Sequence, residues 1–308
     1  MGKTYFHLKN IKPTLKKSLT EKELIQSEKM VEILTDNGYK FIKLLGTGGY
    51  CVVGLFRKNK KNYAIKSYHK KNNKLLDKIT KINKYLQKKS IKCGYKKKFL
   101  LDSKIMNIND DIYIASEPLD SDLFDLLFET KYKLSINDKL LIICQLSYAL
   151  KCLHEIHIIH GDLKPENIFC KDKTQIKIGD FDGSGINNKR EVSIYTRMYM
   201  HPNVNLDKIN SYDIEYKDDI YSMALIFIMV LDKDISNILF HKNNQLSISD
   251  IIVIIKLIKK SKKIPHILKL IIINMLNGLT DMTHVYHQIQ MICNKHKKTF
   301  KKYKKFKF

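Results

Sequence analysis

The sequence predicts an α+β protein, with its β-strands concentrated in the first part of the chain and its helices in the remainder. Residues 39–66 contain short apolar runs separated by a glycine-rich turn and a polar turn, and two further runs of this kind lie between residues 99 and 116. From Ser135 onward, apolar residues recur at helical spacing over long stretches. This division favours a β-rich part followed by a mostly helical part.

Length and composition place the chain among globular proteins with a strongly basic surface. Its 308 residues are enough for one large or two small domains, and 44% of them are hydrophobic. The 56 basic and 31 acidic side chains give a formal net charge of +25. A charge of this sign and size predicts attraction to a polyanion, either nucleic acid or an anionic membrane surface.

The cysteines and the apolar runs predict an intracellular protein. The six cysteines are scattered and form no C-x-x-C pair, which predicts reduced thiols. The N-terminus has no apolar signal-peptide core, and the longest apolar run, residues 223–231, is too short to span a bilayer. We therefore expect a soluble, cytoplasmic protein without a transmembrane segment.

The first functional pattern is a β-hairpin closed by glycines. Residues 39–45 and 51–56 are predicted strands on either side of the turn at residues 46–50, and residues 63–66 form a third strand that ends at Lys66. A strand, a glycine turn and a second strand differ from the strand-to-helix arrangement of a dinucleotide fold. Glycines allow backbone N–H groups to approach a phosphate closely, and strand alternation that buries Ala64 would direct Lys66 to this loop.

The second pattern is a set of oxygen-bearing side chains in loops between short buried strands. Asp162 and Asn167 are five positions apart, and Asp180 lies thirteen positions after Asn167. Asn167 and Asp180 offer oxygen ligands of the type that Mg²⁺ takes, together with water and substrate phosphates. Asp162, with Lys164 two positions later, could accept a proton from a hydroxyl. These groups point to phosphoryl transfer, in which positioning and charge neutralisation supply most of the catalysis.

These segments resemble the conserved motifs of the protein kinases. Residues 160–167 read HGDLKPEN and residues 180–183 read DFDG, similar to the family patterns H-R-D-L-x-x-x-N and D-F-G. The sequence KPEN resembles the serine/threonine branch of the family. Gly46, Gly48 and Val53 match the glycine-rich loop, although Cys51 replaces its third glycine, and residues 63–66 (YAIK) resemble V-A-I-K.

The resemblance implies a two-lobed protein-kinase-like fold with ATP in the cleft. It places the kinase-like domain at residues 39–293, with a small β-rich N-lobe at 39–116 and a mostly helical C-lobe at 120–293. A basic extension with one helix, residues 1–38, precedes this domain. A basic tail, residues 294–308, follows it.

The resemblance also assigns roles to individual residues. Asp162 would be the catalytic base, Lys164 would neutralise the γ-phosphate, and Asn167 and Asp180 would hold Mg²⁺. The residues expected around ATP are Gly46, Thr47, Gly48, Val53, Ala64, Lys66 and Glu117, with Lys66 on the α- and β-phosphates and Glu117 at the hinge. Asp219, at the start of a long apolar helix, would brace the catalytic loop.

Several positions depart from the family pattern. No glutamate lies between Lys66 and Glu117, and Asp77 is the only acidic residue in the predicted helix at 74–89, so either Asp77 or Asp180 with phosphate would hold Lys66. Gly161 replaces an arginine that binds the phosphorylated activation segment, which predicts activity independent of that modification even though Ser193, Tyr195 and Thr196 could be modified. The Asp182-Gly183 pair replaces a single glycine and predicts a less mobile metal loop.

The sequence leaves three functions open. The first is an active serine/threonine kinase of divergent, possibly viral, character that acts on protein substrates in a host cell. The second is a pseudokinase that binds nucleotide as a scaffold, which the missing helix glutamate and the Asp180-Phe181-Asp182 variant favour. The third is binding of nucleic acid or an anionic membrane through the tail, where eight lysines alternate with aromatic residues.

Overall fold

The computed structural model describes residues 19–48, 51–68, 73–90, 99–109, 111–187, 194–242 and 244–295. These residues belong to two units. The first unit comprises residues 1–84 and 101–118, and the second comprises residues 85–100 and 119–308.

The first unit begins with a helix that is capped as its sequence predicts. Helix α1 spans Glu21–Asp36 and starts with a reciprocal capping box between Thr20 and Glu23. It ends at Asn37, whose backbone N–H bonds to the last turn, and Gly38 follows with a φ of 80°.

The first unit also contains a five-stranded antiparallel sheet in the order β1-β2-β3-β5-β4. Its strands are β1 Lys40–Gly48, β2 Cys51–Lys58, β3 Lys61–Tyr68, β4 Ser103–Ile108 and β5 Asp111–Ser116. Helix α2, Asn73–Ser90, follows β3 in the chain. The fourth strand starts at Ser103 rather than at Phe99, because Phe99 and Leu100 lie in the second unit, where Leu100 makes a parallel bridge to Ile178.

One face of this sheet is covered by α1. The hydrophobic core there combines Met30, Val31 and Leu34 of the helix with residues from four strands, namely Leu44, Val52, Phe56, Ile65, Tyr113 and Ala115. The helix of the predicted extension, within its described residues 19–38, is therefore packed against the sheet.

Helices dominate the second unit. They are α3 Ile136–Glu155, α4 Tyr216–Leu231, α5 Lys233–Lys242, α6 Ile248–Lys260, α7 His266–Leu276 and α8 Met282–Lys295. Capping boxes start α3 at Ser135 and α6 at Ser247. Every residue of α4 from Asp218 onward is buried, with α7 against it and α8 against α3, which makes α4 the centre of the helical core.

Short strands frame the loops that carry the polar residues. Strands β6 Ser121–Asp122, β8 Ile168–Lys171 and β9 Gln175–Ile178 form one small sheet, and β7 Ile158–Ile159 pairs with β10 Gly185–Ile186 in another. The β7–β10 pair holds the segments before residue 160 and after residue 184 side by side.

The prediction of reduced cysteines throughout is wrong for one pair. Cys144 of α3 and Cys293 of α8 form a disulfide, with their Cα atoms 6.8 Å apart, while Cys51, Cys152 and Cys170 form no disulfide with any of the described residues and Cys93 lies outside them. The two cysteines are 149 positions apart in the sequence, so only the packing of α8 on α3 brings them together. Among the helices of the described residues, none is long and apolar enough to cross a membrane.

Candidate active site

Strand pairing in the first unit brings most of the residues predicted to bind nucleotide onto one sheet face. Gly46 pairs with Val53, and Val53 pairs with Lys66. Directly paired residues of antiparallel strands point to the same face, so the side chains of Val53 and Lys66 share a face. Ala64 lies on this face as well and pairs with Ser116, the residue before Glu117.

The alternation along β3 differs in one detail from the prediction. Ile65 is the fully buried residue of this strand, whereas Ala64 and Lys66 are half-buried on the opposite face. The Lys66 Nζ atom lies 5.3 Å from the centroid of the Tyr68 ring. Strand β1 extends further than predicted, to Gly48, because Thr47 pairs with Val52 and Gly48 pairs with Cys51.

Asp77 of helix α2 is not a buried ion-pair partner of Lys66. Asp77 is exposed, and it forms no ion pair with any of the described residues. The buried polar residues of this helix are Lys78, only 3% exposed, and Asn83. The burial of Lys78 could have been predicted, since Leu75 lies three positions before it and Ile82 four positions after it, on the same face of the helix.

In the second unit, Asp219 of α4 holds the backbone of the loop that follows β7. Its Oδ2 atom accepts hydrogen bonds from the His160 backbone N–H at 2.7 Å and pairs with His154 Nε2 at 3.0 Å, and its Oδ1 atom accepts from the Gly161 N–H at 2.9 Å. Burial opposes ionisation of this carboxyl, but the hydrogen bonds and the nearby histidines outweigh it and lower its pKa. The charged Asp219 therefore fixes Gly161, which has a φ of 74°.

His160 joins this loop to the segment after β9. Its Nε2 atom lies 3.0 Å from the Gly179 carbonyl oxygen, and its Nδ1 atom lies 3.4 Å from the Asp162 backbone nitrogen. Because a carbonyl only accepts, Nε2 carries the proton and Nδ1 accepts from Asp162. The ring is fully buried and packs against Phe181 with centroids 5.3 Å apart.

Asp162, Lys164 and Asn167 converge in this loop. Lys164 Nζ lies 3.3 Å from Asp162 Oδ2 and donates to Thr196 Oγ1 at 2.8 Å. Asn167 Nδ2 donates to the Asp162 backbone carbonyl at 2.8 Å and approaches Asp162 Oδ2 at 3.4 Å. The side chain of Asp162 is thus held from two sides.

The other carboxylate oxygen of Asp162 has no hydrogen-bond partner among the residues that the structure describes. Asp162 is 8% exposed, and its Oδ1 atom is buried and unpaired. An unsatisfied buried acceptor is costly to a folded protein, on the order of 1–3 kcal/mol. A hydroxyl group placed beside Oδ1 would remove that cost.

Within residues 180–183, the backbone is strained at Asp180, and the packing is closest at Gly183. Asp180 has left-handed backbone angles, with φ 59° and ψ 71°, and Phe181–Gly183 forms a 3-10 turn after it. A Cβ atom added to Gly183 would meet the Ile194 carbonyl oxygen at 2.8 Å and Asp162 Cβ at 2.9 Å. Space, rather than a positive φ, therefore demands glycine at residue 183, while Asp182 is buried in the turn.

The oxygen donors of this unit suit a hard divalent cation. Asn167 uses its amide nitrogen to hold Asp162, which leaves Oδ1 as the oxygen for a metal ion, and Asp180 adds a carboxylate. The part of the chain that the structure describes has no cluster of three or more His, Cys, Asp or Glu side chains suited to a metal. Two protein oxygens match the way Mg²⁺ binds together with phosphates and water.

The β-rich unit with a glycine hairpin and the helical unit with this loop together define a class of phosphotransferase. Comparison with known families agrees, because the protein kinase domain model matches residues 39–290. The chain belongs to the eukaryotic-type protein kinase family, whose members generally use ATP and a divalent metal ion.

Curated relatives are similar to a limited part of this chain. Myosin light chain kinase family member 4 from Homo sapiens is 33% identical over 128 residues, which is 40% of this chain and 32% of the relative. Mitogen-activated protein kinase 6 from Arabidopsis thaliana is 28% identical over 137 residues, or 44% of this chain and 34% of the relative. The matched region thus spans about a third of the length of each of these relatives.

Proposed function

We propose that this protein is a serine/threonine protein kinase that transfers the γ-phosphate of ATP to hydroxyl groups of protein substrates. The observation that carries the proposal is the buried Asp162, whose Oδ1 atom lacks a partner while Lys164 and Asn167 hold the rest of the group. A carboxylate in this state is an acceptor for a substrate hydroxyl.

Asp162 and Lys164 have distinct roles in the proposed transfer. Asp162 orients the attacking hydroxyl and accepts its proton, and Lys164 neutralises charge on the transferred phosphate. Lys164 already contacts Thr196 at 2.8 Å, so its ammonium group is fixed between residues 162 and 196. A fixed cation needs little reorganisation when charge develops.

The remaining predicted residues bind the nucleotide and its metal ion. Asn167 and Asp180 hold Mg²⁺, which supplies charge neutralisation on the phosphates when bound. Lys66 contacts the α- and β-phosphates, and the residues near the nucleotide are Gly46, Thr47, Gly48, Val53, Ala64 and Glu117. The shared face of Val53, Ala64 and Lys66 in the sheet supports this assignment.

Two observations favour phosphate transfer to the hydroxyl groups of serine and threonine rather than to that of tyrosine. Residues 164–167 carry the KPEN sequence of the serine/threonine branch. The curated relatives include a myosin light chain kinase family member and mitogen-activated protein kinases.

We assign the kinase domain to residues 39–293, with 1–38 and 294–308 outside it.

A pseudokinase that only binds nucleotide is the second candidate function. The exposure of Asp77 favours it, because no acidic residue of α2 among those described is a buried partner for Lys66. A protein of this kind would bind ATP and transfer no phosphate. Contact of the basic tail with nucleic acid or an anionic membrane, and a cytoplasmic location in a host cell, stay predictions.

Phosphoamino acid analysis tests the proposal. The purified protein is incubated with radiolabelled ATP and Mg²⁺ together with a mixture of basic and acidic proteins, and the labelled products are hydrolysed. We expect phosphoserine and phosphothreonine. Label only on tyrosine would overturn the substrate assignment, and nucleotide binding without any label would favour the pseudokinase.

A further inference from the structure

Helix α1 lies directly behind the strand that carries Lys66. Its residues Met30, Val31 and Leu34 are fully buried against the sheet. Ile65, the neighbour of Lys66 on β3, is also fully buried in this cluster. Because successive side chains of a strand alternate, α1 covers the face opposite to the one on which Lys66 lies.

Both neighbours of Lys66 are held by this helix. Ile65 packs into the core under α1, and Ser67, 3% exposed, accepts a hydrogen bond from Gln26 Nε2 at 2.6 Å. A strand whose residues on both sides of one position are fixed to a helix has little freedom to rotate at that position. The direction of the Lys66 side chain is therefore set from behind the sheet.

Residue 54 of the adjacent strand faces both its own neighbour Phe56 and Met30 of the helix, and Phe56 is the closer of the two. Gly54 of β2 pairs with Ile65, and a Cβ atom there would meet Phe56 Cε2 at 2.6 Å and Met30 Cε at 3.1 Å. The end of the Met30 side chain therefore packs against the backbone of β2 at this position.

Two further contacts anchor α1 at other strands. Lys58 Nζ donates to the Asn37 carbonyl oxygen at 2.8 Å, just past the end of the helix. Lys29 Nζ forms an ion pair with Asp111 Oδ2 at 2.8 Å, at the start of β5. These two contacts attach the helix at its middle and just past its C-terminal end, and the Gln26–Ser67 hydrogen bond attaches it to the strand of Lys66.

We propose that α1 is a positioning element for Lys66, acting through Gln26 and Ser67 on β3. The inference rests on the proposed function, in which Lys66 binds the phosphates of ATP. In this proposal, α1 positions Lys66. The acidic residue of α2, Asp77, does not do so from a buried position, because it is exposed. Gln26 touches no reacting group, so its effect on nucleotide binding passes entirely through Lys66.

The test is a double-mutant cycle on nucleotide affinity in the full-length chain. The dissociation constant of a non-hydrolysable ATP analogue with Mg²⁺ is measured by calorimetry for wild type, Gln26→Ala, Lys66→Ala and the double variant. We expect Gln26→Ala to weaken binding roughly three- to tenfold, the range for loss of one hydrogen bond. In the Lys66→Ala background, the same change should alter binding less than about twofold, since the coupled group is absent.

Lys29→Ala is the matched control. It removes another polar contact of the same helix, at β5 instead of β3, and should leave affinity within about twofold of wild type. Equal weakening by Gln26→Ala in both backgrounds, or no weakening in either, would overturn the inference.

The two levels of the proposal fail in different ways. If Lys66→Ala binds the analogue as tightly as wild type does, the assigned role of Lys66 is wrong and the inference about α1 is overturned with it. If the coupling between Gln26 and Lys66 is found while the wild type transfers no phosphate, α1 positions Lys66 but the proposed transfer activity is wrong.

Discussion

At the scale of single residues, Gly183 shows how closely the metal loop packs on the catalytic loop. Its Cα lies where a methyl group would come within 2.8 Å of the Ile194 carbonyl oxygen and 2.9 Å of Asp162 Cβ. Neither neighbour is the free end of a flexible side chain. The glycine thus sets the distance between residue 162 and the 3-10 turn after Asp180.

Gly183→Ala should therefore lower both stability and phosphate transfer. Overpacking at such a site lowers the free energy of unfolding by about 1–3 kcal/mol. Displacement of Asp162 should reduce the transfer rate by about tenfold or more. Thermal unfolding and a transfer assay measure the two effects. Gly278→Ala is a control for a glycine outside the site: its positive φ of 66° predicts a loss of stability, with no neighbour to displace and the transfer rate unchanged. Wild-type activity in Gly183→Ala would contradict the packing described here.

Asp218, next to the bracing Asp219, makes stability depend on pH. Burial is the main cause that raises its pKa from 3.8 to about 6, although hydrogen bonds from Tyr212 and the Glu215 backbone N–H act in the opposite direction. The folded protein then binds this proton more tightly than the unfolded chain does. The contribution of Asp218 to stability is therefore most favourable below about pH 4 and falls as pH rises through 6.

Asp218→Asn removes this titration and keeps an acceptor for Tyr212. Relative to wild type, the variant should gain stability between pH 4 and pH 7, on the order of 2 kcal/mol over that range. Denaturant unfolding at several pH values gives the difference. A constant difference across that range would show that Asp218 does not titrate there.

At the scale of elements, helix α1 contributes to the stability of the β-rich unit. Met30 is fully buried against the sheet, whereas Ile25 of the same helix is 59% exposed. Truncation of a buried methionine removes apolar contacts and leaves a cavity, which costs about 2–5 kcal/mol.

Met30→Ala should lower the free energy of unfolding by that amount, and Ile25→Ala by less than about 0.5 kcal/mol. Denaturant unfolding measures the free energy of unfolding of the two variants. Both changes introduce alanine into the same helix, so the difference between them reports the burial of the residue replaced. Equal effects of the two changes would contradict the packing of α1 on the sheet.

The regular elements and the loop motifs were predictable from local sequence signals. The pairs Thr20–Glu23, Ser135–Asp138 and Ser247–Asp250 have the sequence spacing of a capping box, and each caps a helix. The apolar residues at 158–159 and within 168–178 predict the short strands β7, β8 and β9. Asp162, Asn167 and Asp180 lie in the segments that adjoin these strands. These signals are local because caps and alternation involve residues only a few positions apart.

Contacts between residues far apart in the sequence were not predictable in this way. The hydrogen bond from Gln26 to Ser67 spans 41 positions, and the Cys144–Cys293 disulfide spans 149. The unpaired Oδ1 atom of Asp162 depends on which side chains surround it in three dimensions. Resemblance to the kinases indicated that Asp219 braces the catalytic loop, and the structure supplies its hydrogen bonds to residues 160 and 161.

At the scale of the whole molecule, the net charge of +25 predicts salt-dependent binding of a polyanion. Affinity for a labelled single-stranded oligonucleotide should fall at least tenfold between about 50 and 200 mM salt, measured by fluorescence anisotropy. If the tail carries this binding, replacement of four of its lysines by glutamine should weaken the binding strongly at low salt. The four are Lys301, Lys302, Lys304 and Lys305.

The control for that prediction replaces the same number of lysines elsewhere. Four exposed lysines in α6 and just after it serve this purpose: Lys256, Lys259, Lys260 and Lys262. Equal losses for the two sets would assign the binding to overall charge. No loss for the tail set would dismiss a role for the tail.

If Asp162 makes this protein an active kinase, phosphate transfer from radiolabelled ATP with Mg²⁺ must depend on its carboxylate. Wild type is compared with Asp162→Ala on itself and on generic basic and acidic protein substrates, with nucleotide binding measured in parallel. We predict transfer by wild type and a loss of about 10²-fold or more in the variant, with ATP still bound. Equal transfer by both proteins, or ATP binding by wild type without any transfer, would contradict the account.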